Sequence, residues 1–497
     1  MKSSSAIQEG AERNCAQLWA LFALIVYTPL PLASNRPWAL ALLGLLTGCL
    51  LLWNIWRPSG RSTVLAWQSA RTPLILLGLW IALLAIQLVP LPVAAIDILD
   101  QHALNGFGTQ GLSSGIISLD PYSTRLYFAK ACILAVVFWL TLTLVNSRWR
   151  MEWLAKVIVL SGLLQALAGV LLMASGANFQ LFFVEISQPR GHGTFVSPNN
   201  FAGYLELTLA VGVGLMIAKL DGRTAASWRQ RLHGWLAVLL SGKAMLRLAL
   251  IIMVVGLVAS RSRMGNMAFF VSLLVTGIFT VIFSKHAART TVVFIASLIV
   301  LDVVIIGGMV GVEKVVQRIE STNMQTQVKP VMPVNAGVAG ITGAAGVAQT
   351  LQSLSPEESV EQRTEAGRAA MQIVRDFSWL GAGGGTFHLI FPHYKPATLL
   401  AGYWDHAHND FVEFASEVGL AGLLLLALMV AHSAWCSARL LVHSRDQMAR
   451  GMAFASLMGI SSLLIHGTVD FNFQIPANAM LFLIVLSLPY LQIMLKR

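Results

Sequence analysis

The chain has 497 residues, of which 56% are hydrophobic and only 11% are charged, and its mean hydropathy is +0.69. Soluble proteins carry about 25% charged residues, so a soluble globular fold is excluded. The formal net charge is +11. It comes largely from basic residues beside apolar segments, so no nucleic-acid partner is needed to explain it.

Apolar runs close to the roughly 20 residues that cross a bilayer recur along the chain. They predict an all-α integral membrane protein with about twelve transmembrane helices. The runs are continuous and do not alternate, which excludes an outer-membrane barrel. The predicted spans lie near residues 17–33, 38–56, 73–92, 126–145, 152–174, 200–219, 246–260, 265–284, 292–311, 411–435, 452–470 and 476–494.

Basic residues cluster beside every second span boundary, for example in residues 57–71 and 219–247. By the positive-inside rule these segments are cytoplasmic, so both termini are predicted to be cytoplasmic. One long extracytoplasmic loop then separates spans nine and ten. The chain divides into an N-terminal membrane bundle of about nine spans at 1–311, a partly flexible loop at 312–410, and about three C-terminal membrane helices at 411–497.

The long loop has two parts. Residues 321–355 are rich in Ala, Gly, Val, Thr and Gln without periodicity, which is typical of a flexible segment. The Ser-Pro-Glu-Glu sequence from Ser355 is typical of a helix start, and residues 357–376 are predicted to form an amphipathic helix. Arg363 on this helix is a candidate for substrate binding, and the alternative is an ordinary solvated helix face.

A glycine-rich run, Gly381–Gly385, follows this helix. Such runs can cradle phosphate with their backbone amides. This one lacks the Lys and Ser/Thr of a nucleotide-binding loop, so a simple turn is favoured and phosphate contact is the alternative.

Polar groups gather at three predicted extracytoplasmic boundaries, before span six, between spans seven and eight, and at the start of span ten. Such groups are costly at a bilayer boundary unless they have a role. The alternatives are a helix cap at Asn199 or His408 and snorkelling of the arginines to headgroups. The candidate site residues are Arg190, Asn199, Arg261, Arg263, His406, His408, Asn409 and Asp410.

Other ionisable residues give weaker signals. Glu206 and Asp302 lie in or near apolar spans, and packing and function are equally good explanations of them. The four cysteines lie in cytoplasmic or membrane segments without a CxxC spacing. Neither a structural disulfide nor a zinc site is predicted, and no cofactor is expected.

Several of these segments resemble the bacterial O-antigen ligase and polysaccharide polymerase family of GT-C-like membrane glycosyltransferases. The most specific match is the His-Ala-His-Asn-Asp sequence after a long loop. The resemblance runs from about residue 190 to 475 and does not include the insertion at 321–355. The matching segments are Arg190–Tyr204, Ser260–Gly265, Gly381–Phe387, Phe391–Tyr394, His406–Leu420 and His466–Phe473.

The resemblance implies glycan transfer from an undecaprenyl-pyrophosphate-linked donor at the periplasmic face of the bacterial inner membrane. A pyrophosphate leaving group needs positive charge, which Arg190, Arg261 and Arg263 are predicted to supply. The acceptor hydroxyl needs a base near neutral pH, and this is the predicted role of His408. Because arginines then take the part of a metal ion, catalysis is predicted to be metal-independent.

Neighbouring side chains complete the predicted site. His406 and Asn409 are expected to orient the base or bind sugar. One of Asp405, Asp410 and Asp470 is expected to fix the imidazole tautomer of the base.

Three functions compete. Polymerisation of exopolysaccharide or O-antigen repeat units is favoured, because His466–Asn478 resembles polymerase-like members. Ligation of finished glycan to lipid A-core, or to protein, is the alternative. A flippase or transporter is less favoured, because the middles of the spans are almost uniformly apolar. The expected partners are the lipid-linked glycan, a glycan or lipid A-core acceptor, membrane lipids, a flippase, and chain-length or export proteins.

Overall fold

The computed structural model is mainly helical. It describes residues 2–57, 60–92, 114–175, 179–181, 184–186, 190–220, 242–284, 360–397 and 404–496, with a few single residues between them. The insertion at 321–355 and Asp302 lie outside the described residues, as does nearly all of predicted span nine.

The helices begin where the sequence offers a proline at the first turn or a capping side chain. Pro37, Pro121, Pro198 and Pro476 each open a helix. The helices are α1 (Lys2–Tyr27), α2 (Pro37–Trp56), α3 (Gly60–Ile86), α4 (Pro121–Leu144), α5 (Arg148–Ser175), α6 (Pro198–Lys219), α7 (Gly242–Ala259), α8 (Arg263–Phe283), α9 (Val360–Asp376), α10 (Phe387–Tyr394), α11 (Asp410–His443), α12 (Gln447–His466) and α13 (Pro476–Met494).

Short elements connect some of these helices. Two 3₁₀ turns lie at Leu32–Ser34 and Asn472–Gln474. Two antiparallel strand pairs join β1 (Leu91–Pro92) to β2 (Ser114–Gly115) and β3 (Phe179–Leu181) to β4 (Val184–Ile186), with Leu91 opposite Gly115 and Phe179 opposite Ile186.

Nine helices in the described part of the chain are long and apolar enough to cross a membrane: α2, α3, α4, α5, α6, α8, α11, α12 and α13. The apolar part of α1, Cys15–Tyr27, is shorter. It ends at Tyr27, two residues before Pro29, and a proline does not fit the interior of a helix. Helix α7 occupies the position of predicted span seven. The prediction of an all-helical membrane protein is confirmed, while the number twelve stays a prediction.

The third predicted span, at 73–92, is displaced in the structure. Its helix begins at Gly60, continues through Pro73 and ends at Ile86. Ala70 has non-helical dihedral angles (φ −121°, ψ 21°), so the helix kinks just before the proline instead of starting there. A proline clashes with the carbonyl one turn earlier, and a kink relieves that clash.

Helices α6 and α13 form the centre of the bundle, because nearly all the residues in their apolar stretches are buried. Helix α6 packs chiefly against α12. Gly214 and Gly451 face each other across this interface, and a Cβ on either would collide with the other's carbonyl oxygen. Small residues allow membrane helices to approach this closely where hydrophobic burial alone gives little attraction between them.

A second, smaller core lies beside the bundle and is built by α9, α10 and the segment after them. Helix α9 occupies the position predicted for an amphipathic helix, with Arg368 and Arg375 exposed. The buried members of this core include Ala366, Ala370, Ile373, Phe377, Phe387, Phe391, Trp404 and Ala407. The segment that carries the predicted histidines therefore packs partly on this small core.

Candidate active site

Residues 404–410, the histidine loop, lie between the small core and the bundle. Trp404 and Ala407 are buried in the small core. The two histidines flank Phe471, which follows α12. The His406 ring stacks on Phe471 with centroids 4.1 Å apart. The His408 ring meets Phe471 edge-on at 5.1 Å and Trp404 at 5.6 Å.

A buried carboxylate holds His406. Glu413 Oε1 lies 2.7 Å from His406 Nδ1, and Glu413 Oε2 accepts a hydrogen bond from the Ala407 amide at 2.8 Å. Burial disfavours the charged imidazole, but the Glu413 carboxylate and its hydrogen bond outweigh that cost, so the pKa of His406 is raised. The sequence prediction considered aspartates as orienting groups, whereas for His406 the partner is Glu413.

This pair makes stability depend on pH. Because the pKa of His406 is higher in the folded protein, its stabilising contribution is complete below about pH 6.5 and is lost as pH rises through the folded pKa. We expect the melting-temperature difference between wild type and Glu413→Gln to shrink between about pH 6 and pH 9. Thermal unfolding of both proteins in lipid nanodiscs across this pH range measures the melting-temperature difference.

Glu152 provides the control for this experiment. It pairs with Lys156 at 2.9 Å and Lys219 at 2.8 Å, far from the histidines in sequence. Neither lysine nor glutamate ordinarily titrates in this range, so the Glu152→Gln difference is expected to stay constant. A constant difference for Glu413→Gln as well would contradict the assigned pairing.

Two predicted site residues have unusual backbone conformations. Among the described residues, five non-glycine residues have a positive φ, and two of them are His408 (φ +49°) and Arg261 (φ +51°). Such a conformation costs roughly 1–3 kcal/mol and persists where the surrounding structure imposes it, often at functional sites. The unusual backbone conformation, and not a regular helix, therefore sets the direction in which each of these two side chains leaves the main chain.

Asn409 and Asp410 have structural partners. The Asn409 side chain caps α11 by accepting hydrogen bonds from Phe411 and Val412 amides, both at 3.1 Å. The Asp410 carboxylate is fully buried and accepts from the Phe473 amide at 3.2 Å. Through these hydrogen bonds, Asn409 Oδ1 and the Asp410 carboxylate stabilise the histidine loop.

The arginine segments also meet each other. Arg190 donates from Nε to the Ser260 carbonyl at 2.9 Å and from Nη2 to Asn199 Oδ1 at 3.1 Å. Ser197, not Asn199, caps α6, so the helix-cap alternative for Asn199 is wrong. Arg261 and Arg263 are exposed. Arg363 lies on α9, but its side chain is outside the described part of the structure.

The glycine-rich run is a structural junction. The amides of Ala382 and Gly383 donate to the Ser416 and Glu417 carbonyls at 2.9 and 3.0 Å. The Gly384 amide donates to Gln87 Oε1 at 3.0 Å. Because these amides already have protein partners, the phosphate-binding alternative finds no support here, and the simple-turn interpretation fits.

The glycine-rich junction, Gly381–Gly385, packs against a break in α11. Gly419 has φ +69° and ψ 178°, so the helix consists of Asp410–Val418 and a second part from Leu420. The Leu420 amide, which the break frees from its helical partner, donates to the Ser378 carbonyl at 2.8 Å. The helix of predicted span ten begins at Asp410, next to the predicted residue 411, and continues past the break to His443.

Sequence reasoning gave no role to several residues at this end of the bundle. Lys130 on α4 donates to the Gln474 carbonyl and side chain, both at 3.2 Å, and Gln87 bridges the junction. Glu206 pairs with His466 across 260 residues. The sequence marked Glu206 as an acid in an apolar run and His466 as the start of a matching segment, but nothing in it joined the two residues. Among the described residues, no group of three or more His, Cys, Asp or Glu side chains is arranged to hold a metal ion.

Residues 248–427 match the family model described as O-antigen ligase. Over these residues the chain is similar to the O-antigen ligase family. The matched segment contains Arg261, Arg263 and both histidines of the loop, whereas Arg190 and Phe471 lie outside it. Together with the nine apolar helices, the match indicates a multi-pass membrane protein. No curated protein matches the chain.

Proposed function

We propose that this protein transfers a glycan from an undecaprenyl-pyrophosphate-linked donor to a growing polysaccharide at the periplasmic face of the inner membrane. The observation that carries the proposal is the pair of histidines around Phe471, backed by the buried carboxylate of Glu413. Both histidines lie in the segment that matches the O-antigen ligase model. A histidine side chain in this position can act as a general base toward a hydroxyl group.

In the proposed reaction, His408 accepts the proton of the acceptor hydroxyl. The acceptor oxygen attacks the anomeric carbon of the donor sugar, and the bond from that carbon to the pyrophosphate oxygen breaks. The lipid pyrophosphate leaves with the electron pair. Guanidinium groups of Arg190, Arg261 and Arg263 stabilise its negative charge, since a planar fork of donors matches phosphate oxygens.

The conformations of the site support this division of roles. His408 and Arg261 have left-handed backbones, which fix where their side chains start. The Glu413 contact leaves Nε2 of His406 as the ring nitrogen that faces away from the carboxylate. His406 is then suited to assist the base or to contact sugar hydroxyls.

A second candidate function is ligation of finished glycan to lipid A-core, with the same donor and leaving group. The description of the matched family model, O-antigen ligase, favours it. We retain polymerisation as the first candidate because of the resemblance of His466–Asn478 to polymerase-like members. The two candidates differ only in the acceptor.

Glycan sizing in a deletion strain complemented with wild type or an inactive variant distinguishes the two. For a polymerase, the inactive variant leaves single repeat units on the lipid carrier and no longer chains. For a ligase, long chains accumulate on the carrier without reaching the acceptor. An unchanged profile in the uncomplemented deletion strain would refute both. Purified protein is expected to keep its activity in excess chelator, and a loss restored only by a divalent ion would contradict the arginine mechanism.

A further inference from the structure

A buried ionisable pair lies deep in the bundle and has no part in the proposed chemistry. Glu206 on α6 and His466 at the end of α12 are both fully buried. Glu206 Oε1 lies 2.7 Å from His466 Nδ1, and the Ser462 hydroxyl donates to Glu206 Oε2 at 2.6 Å. Ionisable groups inside a membrane bundle are costly and are retained where they are paired and have a role.

One side of this pair supports the histidine loop. His466 is the last residue of α12, and the next carbonyl, that of Gly467, accepts the Asp410 amide at 2.8 Å. Four residues later in the same segment, Phe471 stacks on His406. The position of His466 therefore sets the position of the segment on which both histidines rest.

The other side of the pair contacts the arginine segment. Gly265 packs so closely on α6 that a Cβ there would lie 3.1 Å from Glu206 Oε1 and 2.7 Å from Ala202 Cβ. The Gly265 amide donates to Ser262 Oγ at 3.2 Å, which caps the helix that begins with Arg263. Glu206 therefore touches the short segment that carries both exposed arginines.

We propose that Glu206 and His466 are positioning residues that hold the arginine segment (260–265) in register with the histidine loop. Hydrophobic burial gives membrane helices little preference for one register, because lipid and protein are equally apolar. A buried hydrogen-bonded pair allows one register, which is the best-attested use of buried polar groups. The catalytic meaning of this register rests on the proposed function, but the register itself does not.

A distance measurement tests the register directly. Met267 lies on α8, two residues after the arginine segment, and Asp405 lies in the histidine loop; both are exposed. Spin labels at these two positions, in full-length protein with its four cysteines replaced by serine, report their separation by double electron–electron resonance in nanodiscs. Glu206→Leu is expected to shift or broaden the distance distribution, and Glu206→Gln, which keeps a hydrogen-bonding side chain of the same shape, to restore it.

Thr208→Val is the matched control. Thr208 is equally buried on α6, but its hydroxyl bonds only within its own helix, to the Tyr204 and Leu205 carbonyls. The control is expected to keep the wild-type distance distribution. A folded Glu206→Leu protein with the wild-type distribution would overturn the proposal. If that variant does not fold, Gly265→Ala probes the same contact from the arginine side, and an unchanged distribution there overturns it equally.

Kinetics give a second readout. Misplacement of reacting groups by about 1 Å can cost about 10²-fold in rate, so Glu206→Leu is expected to lower kcat by about 10–100-fold, with the KM for the donor changing less. Unchanged kcat alongside a changed distance would show that the register does not matter for transfer. The distance experiment needs no substrate, so it can succeed even if the proposed function fails, and it can fail while that function stands.

Discussion

Replacement of His408 with Asn is expected to lower the rate of glycan transfer by about 10²–10⁴-fold, the usual contribution of a positioned general base. Asn is chosen because, like His, it tolerates the left-handed backbone found at this position (φ +49°). A loss of activity then reports the missing imidazole and not a strained loop. The measurement is single-turnover transfer from lipid-linked donor by purified protein in nanodiscs.

His443→Asn is the control for this variant. His443 is exposed at the far end of α11, and its Nδ1 lies near the Arg439 carbonyl. It is expected to keep wild-type activity. His406→Asn is expected to lose less activity than His408→Asn, because His406 assists. If folded His408→Asn protein transfers glycan at the wild-type rate, the base assignment is wrong, and Arg190→Lys becomes the next variant to measure.

The second large effect concerns the break in α11. Gly419→Ala is expected to destabilise the protein by about 2–5 kcal/mol, the combined cost of a left-handed Ala and of overpacking. Gly419 has φ +69°, and its Cβ would collide with the Trp379 carbonyl group of the junction. The variant is expected to melt at a lower temperature and to be cleaved faster by protease within residues 360–397.

Gly78→Ala provides the comparison, since a Cβ at Gly78 in α3 would meet no atom within 4 Å. Replacing a helical Gly with Ala there is expected to be neutral or to stabilise by about 0.5–1 kcal/mol. Equal melting temperatures for the two variants would mean that the junction does not hold α11 in its broken form.

Hydropathy predicted most of the helices, because the length and apolar composition of a run determine whether it can cross a bilayer. The runs at 38–56 and 476–494 coincide closely with α2 and α13. The predicted start of span three at residue 73 was wrong, because Pro73 lies inside a kinked helix and does not open one. A proline can do either, and its own sequence position does not distinguish the two. The same holds for Gly419, whose role depends on backbone groups of the junction about 40 residues earlier in the chain.

The candidate site was predictable in its composition but not in its connections. The sequence placed Arg190 and the Ser260–Gly265 segment on one surface, and the structure brings them into contact. It did not indicate that Glu413 would hold His406, because a helical pattern does not say whether the loop before a helix folds back onto it. Glu206 and His466 are 260 residues apart in the sequence and meet only because their two helices pack together. A local sequence pattern carries no information about such a contact.

The histidine loop packs against two separate parts of the chain, and this limits which segments can be exchanged between this protein and a similar one. Trp404 and Ala407 belong to the small core, whereas Phe471 belongs to the segment after α12 and lies outside the segment that matches the family model. A chimera that exchanged only residues 248–427 would insert the histidines of one protein against the aromatic platform of another. Grafts that also carry residues 466–474 keep both sets of contacts from the same parent, so the smallest exchangeable unit of this protein is discontinuous in sequence.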